Sequence, residues 1–451
     1  MKRFANLRML GGGKPYYNGR YALDSALRRL ANKESACMAE KRIVITGMGL
    51  VCPVGNNVED SWANIRAGVS GIDWITLFDA DMVENRVAGE VKDIDLVGRF
   101  GRREMRRMDR AQMLALVAAE EALDDAGIEI TDENKYDVGV VVGSGIGGIV
   151  TVVQALHGFE AKGHRGVSPV IVPALLHDGI SSRVSMRFGL KGPNYNITAA
   201  CATSNNSLGD AADLIRMGRA NVMVAGGSEA CIMPMVISGF NNMKVLTNTE
   251  DIPEKASRPF DAKRDGFVAA EGAALLILED LEHARARGAM IHAELTGYGH
   301  TSDAFHVTAP NPDGVDAAEA MRRAMREAGL EAGDVSYINA HGTGTQLNDK
   351  SETLAIKQAL AEEAYNIPIS STKSMTGHIL GATAAAEAIL SVKALQDNFI
   401  PPTINLETPD PDCDLDYTPN RGVAAEIDHV LSNSFGFGGH NTAVVISRFE
   451  Q

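Results

Sequence analysis

The sequence predicts an α/β fold, with a largely parallel sheet covered by helices and built from two similar halves. Three observations carry this expectation. Strand-length apolar runs alternate with helix-length segments along most of the chain. A strand-like run followed by Gly-x-Gly occurs twice, as Thr46-Gly-Met-Gly49 and again as Thr296-Gly-Tyr-Gly299. The length, 451 residues, suits two or three ordinary domains or one large duplicated one. The pattern restarts near residue 290.

In chain order, Arg42 to Thr46 is read as the first strand. Arg110 to Ala126 is helical and stops at Gly127, and Val138 to Val142 is a strand. The β-branched run Asn196 to Thr198 is read as a strand. It leads through small residues into a helix from Cys201 to about Met217, with Gly218 as its stop. Val222 to Ala225 and Ala273 to Leu278 are strands, followed by a helix over Glu282 to Arg287. His292 to Thr296 opens the second half. A helix over Asp316 to Ala328, a strand over Val335 to Asn339 and a helix from Asp349 to about Glu363 follow. Pro368 to Ser371 is a strand, and Gly381 to Gln396 is an alanine-rich helix. Val430 to Asn433 and Thr442 to Ser447 close the chain as a hairpin around a glycine turn.

Composition limits the function classes. The net charge of −15 argues against a general nucleic-acid binder. No apolar run is long enough to span a membrane. The five cysteines, Cys37, Cys52, Cys201, Cys231 and Cys413, are odd in number, scattered and without a CxxC pair. A disulfide framework and a zinc site are therefore disfavoured, and a reducing compartment fits. Residues 1–38, with several arginines and a Gly11-Gly12-Gly13 break, read as an extension, peripheral to the fold or a targeting segment.

Cys201 falls where a strand turns into a helix. The positive end of a helix stabilises an anion, so a thiol there is biased toward thiolate. Asn339-Ala-His341-Gly-Thr343-Gly-Thr345 and Lys373-Ser-Met-Thr-Gly-His378 each place an imidazole directly after a strand. Strand ends of parallel sheets are where sites gather. Such a histidine pair is open to three uses: metal binding, acid–base work or donation to an oxyanion. Metal is disfavoured, because no carboxylate stands at ligand spacing from either histidine. Ser432 to Gly439 is a glycine-rich turn with two phenylalanines, whose amides are suited to a developing negative charge. Gly143-Ser-Gly145-Ile-Gly-Gly148 has the dinucleotide spacing, but it lies outside the first βαβ unit and lacks the ribose-binding acid, so no nicotinamide cofactor is expected. Arg103, Arg106, Arg107 and Arg110 would form one basic face on a helix, able to dock an acidic partner.

Taken together, these motifs resemble the elongating β-ketoacyl-acyl-carrier-protein synthases, of the synthase I/II group, over about residues 40–449. The resemblance rests on Thr198-Ala-Ala-Cys201-Ala-Thr-Ser, Gly226-Gly-Ser-Glu229, Arg258-Pro-Phe-Asp-Ala-Lys-Arg-Asp-Gly-Phe267, the two histidine motifs and Asn433-Ser-Phe-Gly-Phe-Gly-Gly439. It implies the thiolase-like fold, with two βαβαβαββ halves in α-β-α-β-α layers, here residues 39–290 and 291–451, and a homodimer. It implies an acyltransferase that joins an acyl chain held on Cys201 to malonyl-acyl-carrier protein with loss of CO2, and no cofactor beyond the carrier's phosphopantetheine. His341 and His378 would assist decarboxylation. Lys373 would orient the site through Glu387 or Glu352. The amides of Cys201 and Phe437 would form an oxyanion hole. Phe240 and Phe437 match gating phenylalanines, and Thr343 and Thr345 match residues that hold the pantetheine arm. Arg103, Arg106, Arg107 and Lys244 match carrier-docking positions. Asn339, Glu387, Ser432 and Asn433 match a monovalent-cation site of some members.

Two alternatives stay open: a ketosynthase of a polyketide or specialised-lipid pathway, and a non-catalytic partner resembling a chain-length factor. Chain-length factors lack the nucleophile, and Cys201 is present here. A thiolase would need a second cysteine in the closing turn, and residues 432–441 hold none. His440 departs from the threonine common after the closing glycines. That variant occurs in plastid and some bacterial members, so the expected setting is the bacterial cytoplasm, or a plastid if residues 1–38 are a transit segment.

Overall fold

The structure, a computed structural model, describes residues 41–248 and 251–450. The extension 1–38 lies outside them. Ten strands form the main sheet. They are β1 Ile43–Val51, β2 Val138–Gly143, β3 Asn194–Tyr195, β4 Val222–Glu229, β5 Gly272–Asp280, β6 Ala293–Ser302, β7 Tyr337–Asn339, β8 Ile369–Ser370, β9 His429–Gly436 and β10 His440–Ser447. Five helices frame the site: α1 Arg110–Ala126, α2 Thr203–Arg216, α3 Val315–Ala328, α4 Gln346–Leu360 and α5 Thr383–Asp397.

The spatial order is β8-β7-β9-β10-β6-β1-β5-β4-β2-β3. Read outward from the middle, each group of five follows the same sequence of its own strands: first, fifth, fourth, second, third. The duplication is therefore written in the topology. The two groups meet through β1 and β6, at only two residue pairs, Val44 with Glu294 and Ile45 with Ala293.

The sheet is mixed rather than largely parallel. In each group the fifth strand, β5 or β10, runs against both its neighbours. The second, third and fourth strands are parallel. Alternation of strand and helix along the sequence does not reveal the direction of that last strand.

Helices α2 and α5 each contact strands of both groups, whereas α1 packs on β1, β5 and β4 and α3 on β6, β10 and β9. Two outer helical layers, two sheet layers and a shared inner helical layer result. Residues Thr383 to Leu395 of α5 are all buried, and the charges among them, Glu387 and Lys393, are paired with Lys373 and Glu59.

The repeated Gly-x-Gly has a steric cause. A Cβ on Gly47 or Gly49 would lie 2.2 or 1.9 Å from the carbonyl oxygens of Ala122 and Ala118 on α1. On Gly297 or Gly299 it would lie 2.1 or 2.0 Å from those of Ala324 and Ala320 on α3. In both halves the helix rests directly on strand backbone. α1 begins at a capping box, with Asp109 as N-cap and Gln112 reaching back, and ends at Gly127 with φ 57°.

The expected strand at Asn196 to Thr198 is absent. The edge strand is Asn194–Tyr195, and the next residues run without regular structure to the nucleophile turn.

Candidate active site

Cys201 sits in a 3-10 turn, Ala200–Ala202, that runs into α2. Ala200 has φ 49°, a left-handed conformation that bends the chain sharply just before the sulfur. The Cys201 carbonyl accepts from Ser434 Oγ at 2.9 Å. A Cβ on Gly436 would lie 2.7 Å from the Ala199 carbonyl, so the closing turn fits against the nucleophile turn only because that residue is glycine.

The second half supplies the imidazoles. His341 follows β7, and its backbone N–H and that of Gly342 donate to Glu352 on α4 at 2.8 and 2.7 Å. His378 follows the short helix Lys373–Thr376. Its Nε2 lies 3.0 Å from Cys201 Sγ. The two rings meet edge to face, with centroids 5.4 Å apart. The sulfur and both imidazoles offer ligand atoms within 4.8 Å of one another.

The protonation of His378 follows from its neighbours. The Leu380 N–H donates to Nδ1 at 3.2 Å and the Thr383 hydroxyl lies 2.9 Å from the same nitrogen; with Nδ1 accepting from the backbone, the ring proton is assigned to Nε2, facing the sulfur. A neutral ring in this tautomer has no lone pair left for a metal on that side. His378 thus faces the sulfur as a donor. Burial, with the nearby Lys373 charge, holds both histidines well below the usual histidine range, so both are neutral.

Burial pushes the Cys201 thiol up to about 12; the Lys373 charge and the amides of Phe437 and Cys201 itself oppose this. The bias toward thiolate expected from the helix start is therefore overturned, and Cys201 rests as a thiol. The sulfur lies in the turn before α2 and is buried, and desolvation outweighs the helix end. The two amides that oppose it are those expected to form the oxyanion hole.

Lys373 Nζ donates to Glu387 Oε1 at 2.7 Å, and both side chains are buried. Glu387 and Glu352 are each raised to about 7, with burial as the largest cause. Four oxygens in this region, Asn339 Oδ1, Glu387 Oε2, Ser432 Oγ and Asn433 Oδ1, are buried without a hydrogen-bond partner. Asn339 and Ser432 are paired across β7 and β9. One carboxylate and three neutral oxygens fit a monovalent cation.

A cavity of about 460 Å³ opens onto Cys201, His341 and His378. Phe240, Phe437, Thr343, Thr345 and Lys244 all line it. The Thr343 and Thr345 hydroxyls are 3.1 Å apart, and Thr345 also caps α4 through Asn348 N–H.

The basic face is partly overturned. The helix Leu96–Met105 is kinked at Gly101 and ends at Arg106, and Arg110 begins the next helix. Arg110 turns inward to Glu271, 2.6 Å away. Arg103, Arg106 and Arg107 remain exposed, without an ion pair among the described residues.

The Gly143–Gly148 loop does not offer its amides to a phosphate. Gly145 and Ile146 N–H donate to buried Glu229. Glu229 belongs to the Gly226-Gly-Ser-Glu229 motif of the resemblance, but no role for it follows from the sequence. Phe267, whose ring stands edge-on to His378, likewise gave no chemical signal.

A thiolase-like scaffold with a cysteine and two neutral histidines at the base of an apolar cavity defines a condensing enzyme. The model for the β-ketoacyl synthase N-terminal domain matches residues 40–284, and that for the C-terminal domain matches residues 292–407. The chain is 48% identical over 410 residues to the 3-oxoacyl-[acyl-carrier-protein] synthase 2 of Staphylococcus aureus (strain N315), covering 91% of this chain and 99% of that one. It is 46% identical over 415 residues to the protein of the same name from Synechocystis sp., covering 92% of this chain and 100% of that one. Among solved structures, a β-ketoacyl synthase from Burkholderia phymatum superposes with TM-score 0.83 at 35% identity, over 91% of this chain and 100% of that one. A type II PKS acyl-carrier protein in complex with its ketosynthase gives TM-score 0.84 at 35% identity, with the same coverage. The chain belongs to the β-ketoacyl synthase family, whose members are acyltransferases.

Proposed function

We propose that this protein elongates fatty acyl chains by decarboxylative condensation of acyl- and malonyl-acyl-carrier protein. The observation that carries the reading is the convergence of Cys201, His341 and His378 on one apolar cavity.

In the first half-reaction the Cys201 sulfur attacks the acyl thioester. The carbonyl oxygen becomes an oxyanion facing the Cys201 and Phe437 amides. The carrier sulfur leaves and takes the thiol proton. In the second, the malonyl C–CO2 bond breaks and its electron pair moves into an enolate. The His378 Nε2–H, with His341 beside it, donates to the enolate oxygen. The enolate carbon then attacks the acyl carbon and the C–S bond to Cys201 breaks, 3-oxoacyl-carrier and CO2 are released, and the Cys201 thiolate takes up a proton from solvent to restore the thiol. Burial, with the charge of Lys373 held by Glu387, keeps both imidazoles neutral. Asn339, Glu387, Ser432 and Asn433 would hold a monovalent cation, which would balance charge behind the site.

Phe240 and Phe437 gate the cavity, and Thr343 and Thr345 hold the pantetheine arm. Arg103, Arg106, Arg107 and Lys244, all exposed, meet the acidic carrier. A homodimer is supported by the open sheet edge, where Asn194 and Tyr195 are both exposed. Val152, Leu156 and Phe159 stand at i, i+4 and i+7 on the helix Ile149–Lys162 and are also exposed. Residues 39–290 and 291–451 are the two halves, in keeping with the repeated strand order. Among the described residues no helix is long and apolar enough to cross a membrane. The relatives are bacterial, so a bacterial cytoplasm is the proposed setting, with a plastid as the alternative.

The test is an elongation assay across acyl-carrier chain lengths, read by mass spectrometry. Two-carbon extension of saturated acyl carriers is expected. Extension of poly-β-keto chains alone would move the protein to a polyketide pathway, and no extension at all would sink the reading.

A further inference from the structure

Glu229 ends β4 and is fully buried. Its carboxylate accepts from four donors. Oε1 takes Ser144 Oγ–H at 2.9 Å and Ile146 N–H at 3.2 Å; Oε2 takes Gly145 N–H at 2.7 Å and Gly381 N–H at 3.1 Å. Three of these come from the loop after β2, in the first half. The fourth comes from the second half, from the turn Leu380–Ala382 that leads into α5. A Cβ on Gly145 or on Gly381 would lie 2.8 Å from Oε2, so both glycines admit the carboxylate. Leu380, held at φ 46°, is the residue whose N–H donates to His378 Nδ1.

We infer that Glu229 is a positioning residue for the condensation, pinning the Leu380–Gly381 backbone so that Leu380 N–H fixes the orientation and tautomer of His378. This rests on the ketosynthase reading above. The carboxylate works at a distance from the substrate: it fixes Gly381, Gly381 fixes Leu380, and Leu380, with the Thr383 hydroxyl 2.9 Å from the same Nδ1, sets which ring nitrogen carries the proton. Its charge also contributes to raising the Cys201 thiol. The two effects have opposite signs for the two half-sites, and that separates positioning from mere support of the fold.

The experiment compares the parent with Glu229→Gln, which keeps the shape but loses the charge and sets an NH2 against N–H donors. Displacing a catalytic group by about 1 Å costs on the order of 10²-fold in rate. The expected result is a kcat for condensation lower by roughly that factor, with KM for the acyl carrier little changed and faster alkylation of Cys201 by iodoacetamide at fixed pH. A kcat close to that of the parent, or parallel slowing of condensation and alkylation, overturns the proposal. If Glu229→Gln does not fold, Ser144→Ala removes one donor and keeps the carboxylate. A selective loss of kcat, about fivefold, with alkylation unchanged is then expected, and an unchanged kcat overturns it. Histidine 15N shifts need no carrier substrate. They report the Nε2–H tautomer of His378 in the parent and a mixture in the variant, so Glu229 is tested even if the parent proves unable to condense. An unaltered tautomer in the variant also counts against the proposal.

Discussion

The sulfur of Cys201 stands 3.0 Å from Nε2 of His378, although 177 residues separate them along the chain. Each comes from a different half of the duplicated fold. The contact is made in a fully buried site, and burial sets the resting state of both groups.

Alkylation of Cys201 is expected to rise by about tenfold per pH unit from pH 7 to 10 with no plateau, because the thiol is raised to about 12 and only its anion reacts. Iodoacetamide inactivation rates measure this. An inflection below pH 8 would show a thiolate already formed at rest.

Replacement of the nucleophile by Cys201→Ala should abolish elongation, lowering the rate by at least about 10³-fold, with an unchanged circular-dichroism spectrum. Elongation retained by the alanine variant would end the assignment.

Removal of the buried cation by Lys373→Met strands the Glu387 carboxylate. A loss of about 3–5 kcal/mol in urea unfolding is expected, and Lys373→Met with Glu387→Gln should recover most of it. The same cation lowers both histidines. Its loss raises their proton affinity, so the acid limb of the activity profile should move to higher pH in the single variant.

Charge reversal at Arg106 and Arg107 should raise KM for carrier-bound substrates about tenfold and weaken its salt dependence. Coenzyme A analogues, which carry no protein surface, should be little affected. Equal effects on both substrates would remove the docking role.

The apolar helix face predicts assembly. Leu156→Asp with Phe159→Asp should shift sedimentation from dimer to monomer. A monomeric parent would refute the homodimer.

The second half was legible in outline because its punctuation is strong. The helix read over Asp316 to Ala328 is α3 and the alanine-rich one over Gly381 to Gln396 is α5, each within a few residues. The end of α1 was readable from Gly127, since a glycine stop is local chemistry. The glycine pairs at 47/49 and 297/299 announced the repeat, because close helix–strand packing leaves a mark in sequence. Strand direction was not readable: β5 and β10 look like any buried apolar run. The inward turn of Arg110 was hidden as well, since a kink at Gly101 and a cap at Asp109 break the helix that would have aligned the four arginines. The protonation state of Cys201 depends on how much protein surrounds it, which no local motif encodes.

The turns Ala200–Ala202 and Leu380–Ala382 occupy matching places in the two halves, each opening an inner helix and each starting with a residue of positive φ. One presents a sulfur. The other, at Gly381, presents a bare amide to Glu229. A doubled ancestor would have carried two such elbows, and only one was needed for bond making. The other turn carries no nucleophile and uses its backbone to orient the imidazole that faces the sulfur, so two matching turns serve one reaction in different ways.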